Sequence, residues 1–574
     1  KQHTLQVVVN NKLKKRRSVM SEIYGGHIVA KYLKDVEGID TIFSLVGGHI
    51  DKIYDGCFEN GLKIIDVRHE QAAAMMAQAW SVYTGKPGVC LVTAGPGFTN
   101  VLTGVVNAYM ENAPLVVLSG TAPLRDWIKG ALQDMKQADM IKSVVKWHEI
   151  CYDIKRIPEY LSTAFRQAVS GRPGPVFLEL PPDILNIKVS EDDIPKMKKG
   201  STVYRSQPDP SSIKEAAALI NEAEKPIIMG GNGLCWSDCD SGLKDLAEKT
   251  GAPFFLMNAG RGVLPDDHPQ SIWDGGMSAA LTAFAMADLV ISLGIRMNWL
   301  QMYGETFPQA KVIRVDVEAS EIDRNRASDV GLVGDIGLTL NGLNPLVEKK
   351  DRTDWVKLLK DSYLPLVADE IAARETPSDP IHPARLVEQV RTAIGDDTIY
   401  VVDGGDTSYF GLVGLRAQEK AFVLPGSGGL FGCLGTGIPF GIGAKVARPD
   451  KTVVVITGDG SFGLNAMEFD TAVRHNIPFL CVICNDRAWG MIKHGQEINY
   501  GDDRLIGSEL SASLYGKMVE ALGGYGETVT KDEEVIPAVK RGLESGKPAC
   551  INVLTDPTIT SPATLLLADG LKME

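Results

Sequence analysis

Short apolar runs alternate with helix-length amphipathic segments along nearly the whole chain, the pattern of parallel α/β layers rather than of all-β or all-α packing. In the first third, strands are expected at Thr41–Leu45, Lys63–Asp66, Val89–Thr93, Pro114–Ser119 and Val176–Leu180, with helices between them. The stretch 206–212, broken by Pro208 and Pro210, reads as a linker. A second series begins at Pro226–Gly230 and runs through Pro253–Leu256, Leu289–Leu293 and Lys311–Val315. After a charged, weakly apolar stretch at 349–380 comes a third: Thr398–Val402, Thr452–Ile456, Pro478–Cys484 and Ala549–Val553. The expected fold class is α/β, with three doubly wound parallel-sheet domains at 20–200, 206–346 and 380–557. Residues 1–19 read as an N-terminal extension, and 558–574 as a tail able to close over a site as a lid.

Composition narrows the partners. With 574 residues the chain is too long for one core. Its 59 basic and 72 acidic residues give a net charge of -13, which disfavours nucleic acid or an anionic membrane as the main partner. No apolar run approaches the roughly 20 residues that span a bilayer, and the basic opening segment Lys1–Arg17 lacks a secretory core. The nine cysteines lie mostly within apolar runs such as Val89–Val92, as reduced thiols of a cytoplasmic protein do. Cys481 and Cys484 sit inside a strand-like run with no second pair at zinc spacing, so a metal role is not expected of them.

The candidate chemistry concentrates in the third series. There a buried strand ends in Gly458-Asp459-Gly460-Ser461 and leads into a helix expected at about 465–475. Asp459 therefore projects at the carboxyl end of a parallel sheet, where such sheets bind ligands, and the helix start offers free N–H groups to phosphate oxygens. The strand 478–484 ends in Asn485-Asp486-Arg487-Ala488-Trp489-Gly490. If the two strands are neighbours, Asp459, Asp486 and the Ala488 carbonyl can face one hard cation, and with diphosphate oxygens they make the oxygen shell magnesium prefers. A lone Gly-Asp-Gly is compatible with an ordinary turn; the strand, helix and second acidic loop together favour the ligand site.

These motifs resemble the Gly-Asp-Gly…Asn-Asn signature of thiamine-diphosphate enzymes of the acetolactate synthase-like superfamily, with Asp486 in place of the usual asparagine. The resemblance implies thiamine diphosphate and magnesium as cofactors, a pyrimidine-binding first domain, a Rossmann-like middle domain and a diphosphate-binding third domain. It assigns the cofactor to Thr93, to Gly404, Gly405 and Asp406, to Gly432, Cys433 and Leu434, and to Asp459, Gly460, Ser461, Asp486, Ala488, Trp489 and Gly490. Leu434 falls where the family holds the cofactor bent. Arg68-His69-Glu70-Gln71 resembles the segment with the activating glutamate, which shares a proton with the aminopyrimidine. An isolated glutamate at a helix start would otherwise serve the helix dipole. In the family, Glu70 of one subunit meets Asp459 of another, which implies a homodimer at minimum and a homotetramer as the expected assembly.

The first domain, through Val46–Tyr54, Thr93–Asn100, Leu124–Asp126 and Leu132-Gln133, is similar to benzaldehyde lyase and its carboligase relatives, which puts His49 and Gln133 at substrate protons. The middle domain, through Leu264–Ser271 and Gly294–Trp299, resembles oxalyl-CoA decarboxylase and 2-hydroxyacyl-CoA lyase, which implies ADP, less readily FAD, on Arg296, Asp316, Val317 and Asp335. Gly-Asp-Gly-Ser departs from the Gly-Asp-Ser of those two families, so the signals are mixed. The preferred expectation is a lyase cleaving a 2-hydroxyacyl-CoA to an aldehyde or ketone and formyl-CoA. Two alternatives stay open: a carboligase on aldehydes or 2-oxo acids, and an inactive nucleotide-binding protein. A nicotinamide oxidoreductase would need a full Gly-x-Gly-x-x-Gly turn, which the middle domain lacks.

Overall fold

The computed structural model describes residues 22–426 and 430–570; the expected extension at 1–19 lies outside the described residues. Each of the three series forms its own parallel sheet flanked by helices. The first sheet runs Lys63–Asp66, Thr41–Ser44, Gly88–Val92, Leu115–Gly120, Pro175–Leu180, His148–Ile150 across its width. The third runs Val423–Pro425, Thr398–Asp403, Thr452–Gly458, Leu480–Asn485, Ala549–Leu554, Tyr525–Val529. Numbered within each domain, both orders are 2-1-3-4-6-5, so each sheet reverses direction between its first and third strands. A crevice opens at that reversal, outside the carboxyl ends. The middle sheet runs Phe254–Leu256, Pro226–Gly230, Leu289–Leu293, Lys311–Asp316, Val330–Val333 and reverses between Pro226–Gly230 and Leu289–Leu293.

The central strands are fully buried, as Val453–Ile456 and Leu480–Ile483 are, because helices cover both faces of a parallel sheet. That is why they read as unbroken apolar runs. Six strands are absent from the expected set, and the four of them that belong to the three parallel sheets, His148–Ile150, Val330–Val333, Val423–Pro425 and Tyr525–Val529, are all edges. Edge strands face solvent on one side and lose that signal: Tyr525–Glu527 are half-buried and Thr528 is exposed. Glu22–Tyr24 and Lys188–Ser190 add a short antiparallel ribbon.

Two other expectations need correction. The charged stretch at 349–380 is largely helical: Trp355, Leu359 and Tyr363 fall on one face of the helix Thr353–Tyr363 and are buried against the middle domain. Four-residue spacing, diluted by charge on the other face, hid the helix. The helix after Gly-Asp-Gly begins at Asp459 itself, as Asp459–Asn465, and a second helix, Glu468–Arg474, follows.

The first and third domains share one continuous apolar core. At their junction lies the helix Glu70–Thr84, buried on nearly every side through a run of alanines and methionines. Its small residues allow close approach: a side chain on Gly104 would strike Ala74 Cβ and the Gln71 carbonyl, each 2.7 Å from the added carbon. One on Gly443, in the helix Gly437–Ala447, would strike the Met76 carbonyl. The middle domain packs two separate cores, one on each face of its sheet; Cys235 and Ala259 join the larger core instead. All nine cysteines are free thiols. Among the described residues, no helix is long and apolar enough to cross a membrane.

Candidate active site

The crevice of the first sheet gathers every first-domain residue singled out from the sequence. The loop after Thr41–Ser44 delivers His49, whose Nδ1 lies 3.3 Å from Thr93 Oγ1 in the loop after Gly88–Val92. Burial lowers the His49 pKa, which favours the neutral imidazole. Gly95 carries φ 61°, a left-handed conformation suited to glycine, and packs on Gln133, 2.7 Å from its Cγ to an added Cβ. The Gln133 amide oxygen is buried with no hydrogen-bond partner. Glu70 opens its helix at 6% exposure and accepts a 2.9 Å hydrogen bond from Asn100 Nδ2. Gly97 keeps the space beside that carboxyl clear, since a Cβ there would lie 2.8 Å from Thr93 Cγ2 and 3.4 Å from Glu70 Oε1.

Sequence reasoning gave Asn100 and Gln137 no role. Asn100 lies one turn into the helix that starts at Pro96, facing Glu70. Gln137 is buried and holds the Gly95 turn, its Oε1 accepting the Gly95 N–H at 2.9 Å while its amide donates to Glu179 at 3.1 Å. A glutamine between Lys136 and Ala138 offered no signal for that.

The crevice of the third sheet gathers the second group. Thr452–Gly458 and Leu480–Asn485 are paired neighbours, so the Asp459 and Asp486 loops converge as expected. Asp459 is 1% exposed and its Oδ2 has no hydrogen-bond partner. Burial, and then the charge of Asp486, push Asp459 up to about 8; burial raises Asp486 as well. Two buried acids held this close share a proton unless a cation neutralises them. That orphaned oxygen and that mutual repulsion fit a divalent cation. Asp486 Oδ1 accepts the Ala488 N–H at 3.0 Å, Gly490 lies against Asp486 Oδ2, and the Trp489 ring covers Gly460. Gly404, at φ 115°, leaves the Thr398–Asp403 strand beside Ser461. Gly432, Cys433 and Leu434 lie on the loop before Gly437–Ala447; Cys433 and Leu434 are half-buried, and Gly437 N–H donates to Asp403 Oδ2 at 2.8 Å.

Asp406 does something the sequence did not suggest. Its carboxylate meets His494 Nδ1 at 2.8 Å and accepts from the Ser561 and Thr564 hydroxyls at 2.5 Å each. The tail helix Pro562–Gly570 is thereby pinned beside the third-sheet crevice. His494 Nε2, 3.0 Å from the Pro557 carbonyl, completes the latch. Gly405 packs on Met491 in the same helix as His494.

Arg296, Asp316, Val317 and Asp335 all line a cavity of about 390 Å³ at the carboxyl ends of the middle sheet, walled on one side by the first domain. Arg296 spans that wall, donating to the Met110 carbonyl at 3.0 Å and to Asn112 Oδ1 at 2.5 Å. Asp335 caps the helix Ile336–Leu343 and takes the Ser237 hydroxyl at 2.9 Å. Glu321, buried at the cavity edge, is ringed by Arg172, Arg296, Arg314 and Arg324. Among the described residues, no hydrogen bond or ion pair joins the Glu70 carboxyl itself to Asp459 or Asp486 within one chain.

Comparison with known proteins identifies the three domains. The N-terminal TPP binding domain of thiamine pyrophosphate enzymes matches residues 23–140, their central domain 213–343, and their C-terminal TPP binding domain 405–553. The chain is 34% identical to the acetolactate synthase large subunit IlvG of Mycobacterium tuberculosis, covering 95% of this chain and 98% of that protein. It is 31% identical to 2-hydroxyacyl-CoA lyase of Arabidopsis thaliana, over 95% and 97% of the two chains. It is also 31% identical to oxalyl-CoA decarboxylase of Escherichia coli, over 93% and 95%.

Proposed function

The chain belongs to the thiamine pyrophosphate enzymes, and from that premise we propose that it cleaves, reversibly, the carbon–carbon bond beside the carbonyl of a 2-hydroxyacyl-CoA, releasing an aldehyde or ketone and formyl-CoA. The observation that carries the reading is the first-domain cluster, in which Glu70, Thr93, His49 and Gln133 line one crevice.

When bound, the cofactor supplies a nucleophilic carbon and an electron sink for the broken bond. Asp459, Asp486 and the Ala488 carbonyl would hold magnesium and, through it, the diphosphate, aided by Gly460, Ser461, Trp489 and Gly490. Gly404, Gly405 and Leu434, with Gly432 and Cys433 beside it, would seat the rings. Glu70, screened from water and held by Asn100, would hydrogen-bond the aminopyrimidine nitrogen. His49, held toward the neutral form by burial, takes the proton from the substrate hydroxyl and gives it to the carbonyl carbon that leaves as formyl-CoA, the same proton travelling back on condensation. Gln133, across the same crevice, would donate an amide N–H to the hydroxyl oxygen, which fixes the bond to be broken and leaves the hydroxyl proton to His49. The Asp406–His494 latch holds the tail helix as a cover that excludes water.

A site shared between two subunits, with Glu70 of one facing Asp459 of the other, supports a homodimer at minimum and a tetramer as the full assembly. Exposed apolar residues around both crevices support it, among them Val46, Ile128 and Leu132 on the first domain and Ile492 and Leu514 on the third. The middle cavity, with Arg296 and Asp316 at its strand ends, would take ADP beside the acyl-CoA. Buried thiols suit a cytoplasmic location.

A second reading, a carboligase acting on 2-oxo acids, is favoured by the 34% identity to the acetolactate synthase relative. Incubation with a 2-hydroxyacyl-CoA, benzoin and pyruvate in turn, each with magnesium and thiamine diphosphate, separates the readings by product. Formyl-CoA from the first supports the lyase; acetolactate from pyruvate alone overturns it in favour of the carboligase.

A further inference from the structure

The turn that delivers Glu70 is held by the third domain of the same chain. Glu468, 1% exposed at the start of the helix Glu468–Arg474, accepts the Arg68 N–H at 3.0 Å and the His69 N–H at 3.0 Å. The Thr471 hydroxyl donates to its other oxygen at 2.6 Å. On either side of these bonds, Arg474 grips Asp66 and its carbonyl, and Gln71 Nε2 donates to Asn465 Oδ1 at 3.0 Å. Asn465 in turn donates to the Gly435 carbonyl at 2.6 Å, next to Leu434.

A buried carboxylate is a costly way to satisfy two backbone N–H groups, because desolvation opposes its charge. Here burial does push Glu468 up to about 7. The nearby charge of Arg474, itself bonded to Asp66 and Asp470, offsets it only in part, and every hydrogen bond Glu468 makes goes to the Glu70 turn or to the threonine that orients it. Arg68 and His69 immediately precede Glu70, so the two N–H groups that Glu468 fixes set where the Glu70 backbone starts its helix.

We propose that Glu468 is a positioning residue for catalysis, clamping the turn at Arg68 and His69 so that the Glu70 carboxyl is held where it meets the cofactor. The clamp hangs from the two short helices that begin at Asp459, so one rigid piece of chain fixes the cofactor-activating carboxyl at one end and a cation ligand at the other. The proposal rests on the role of Glu70 given above.

The test is exchange of the cofactor C2 proton for deuterium, followed by quenched-flow NMR on the full chain with thiamine diphosphate and magnesium. Glu468→Met keeps about the size but removes the oxygen that accepts the Arg68 and His69 N–H groups. A displacement of about 1 Å at Glu70 is expected to slow exchange by about 100-fold. Cofactor affinity by calorimetry, set at the other end of the clamp, should stay within about threefold of the native value. Exchange at the native rate in a folded Glu468→Met protein overturns the proposal, as does a loss of affinity equal to the loss of exchange. Should Glu468→Met not fold, Thr471→Val frees the carboxylate to swing. Slower exchange at unchanged affinity then supports the clamp, and native exchange overturns it. Native protein that does not exchange, or Glu70→Gln that exchanges normally, removes the functional reading itself and is told apart from failure of Glu468.

Discussion

Gly490 puts the cation site to its sharpest test. It is the first residue of the helix Gly490–Tyr500, and its backbone lies outside the left-handed region, so alanine is conformationally welcome and favours the helix by about 0.5–1 kcal/mol. The obstacle is the side chain it would meet. A methyl at Gly490 runs into Asp486 Oδ2, with Cγ of the same carboxylate at 3.4 Å and Asp406 Oδ2 at 3.5 Å. To restore an ordinary contact, the Asp486 oxygen must retreat by about 1 Å. Magnesium tolerates little departure from its roughly 2.1 Å ligand distance, so the displaced carboxylate is lost as a ligand. Even outer-shell changes cost metal sites about 10–100-fold, and a lost ligand belongs at the upper end, about 100-fold or roughly 2.7 kcal/mol. Calorimetry of thiamine diphosphate uptake in magnesium, beside thermal melts of the protein without either, reads both effects. Gly490→Ala is expected to bind about 100-fold more weakly while melting at or above the native temperature. Affinity within about threefold of native would refute the placement of the cation at Asp486.

Asp486→Asn keeps an oxygen ligand and removes the neighbouring charge that helps hold Asp459 up at about 8. Native cation uptake must displace a proton below that pH, so affinity rises as pH climbs toward about 8; the variant should show a flatter rise and smaller proton release in paired-buffer calorimetry. Glu111, whose carboxyl is enclosed beside Asn232, is raised by burial to about 7. Its unfolded form ionises first, so it takes stability away as pH rises from about 4.5 to about 7; Glu111→Gln should recover of order 2 kcal/mol at pH 7 and none at pH 4, read as the difference between the two urea titrations. Gly443→Val should part the helices Glu70–Thr84 and Gly437–Ala447 and cost about 1–3 kcal/mol, checked by denaturant midpoint.

The two crevices were legible because their residues lie at strand ends, where a buried apolar run stops and glycine, acid and helix start follow in order. Asp459 and Asp486 could be paired from sequence, given adjacent strands, and Val454 does lie opposite Leu480. What stayed hidden depends on distance along the chain. Glu468 and Arg68 are 400 positions apart, and nothing local in Met467-Glu468-Phe469 tells a buried clamp from a solvated helix start. The family resemblance put Asp406 on a cofactor loop and gave no hint of its partners Ser561 and Thr564, which lie in the tail expected as a lid. The four missed edge strands escaped for the opposite reason: they are short, and in His148–Ile150, Val330–Val333 and Tyr525–Val529 exposed or half-buried positions break the apolar run.

The separate cores of the middle domain bear on how this chain can change. Its apolar faces close on themselves, so the side chains that set its stability are almost disjoint from those that set the spacing of the catalytic domains. Substitutions on the middle-domain side of its cavity, Cys235 apart, leave the apolar core shared by the first and third domains untouched, and reach it through polar bridges such as those of Arg296 and Asn232. Descendants of such a chain are free to exchange the occupant of that middle chamber while inheriting the reaction intact.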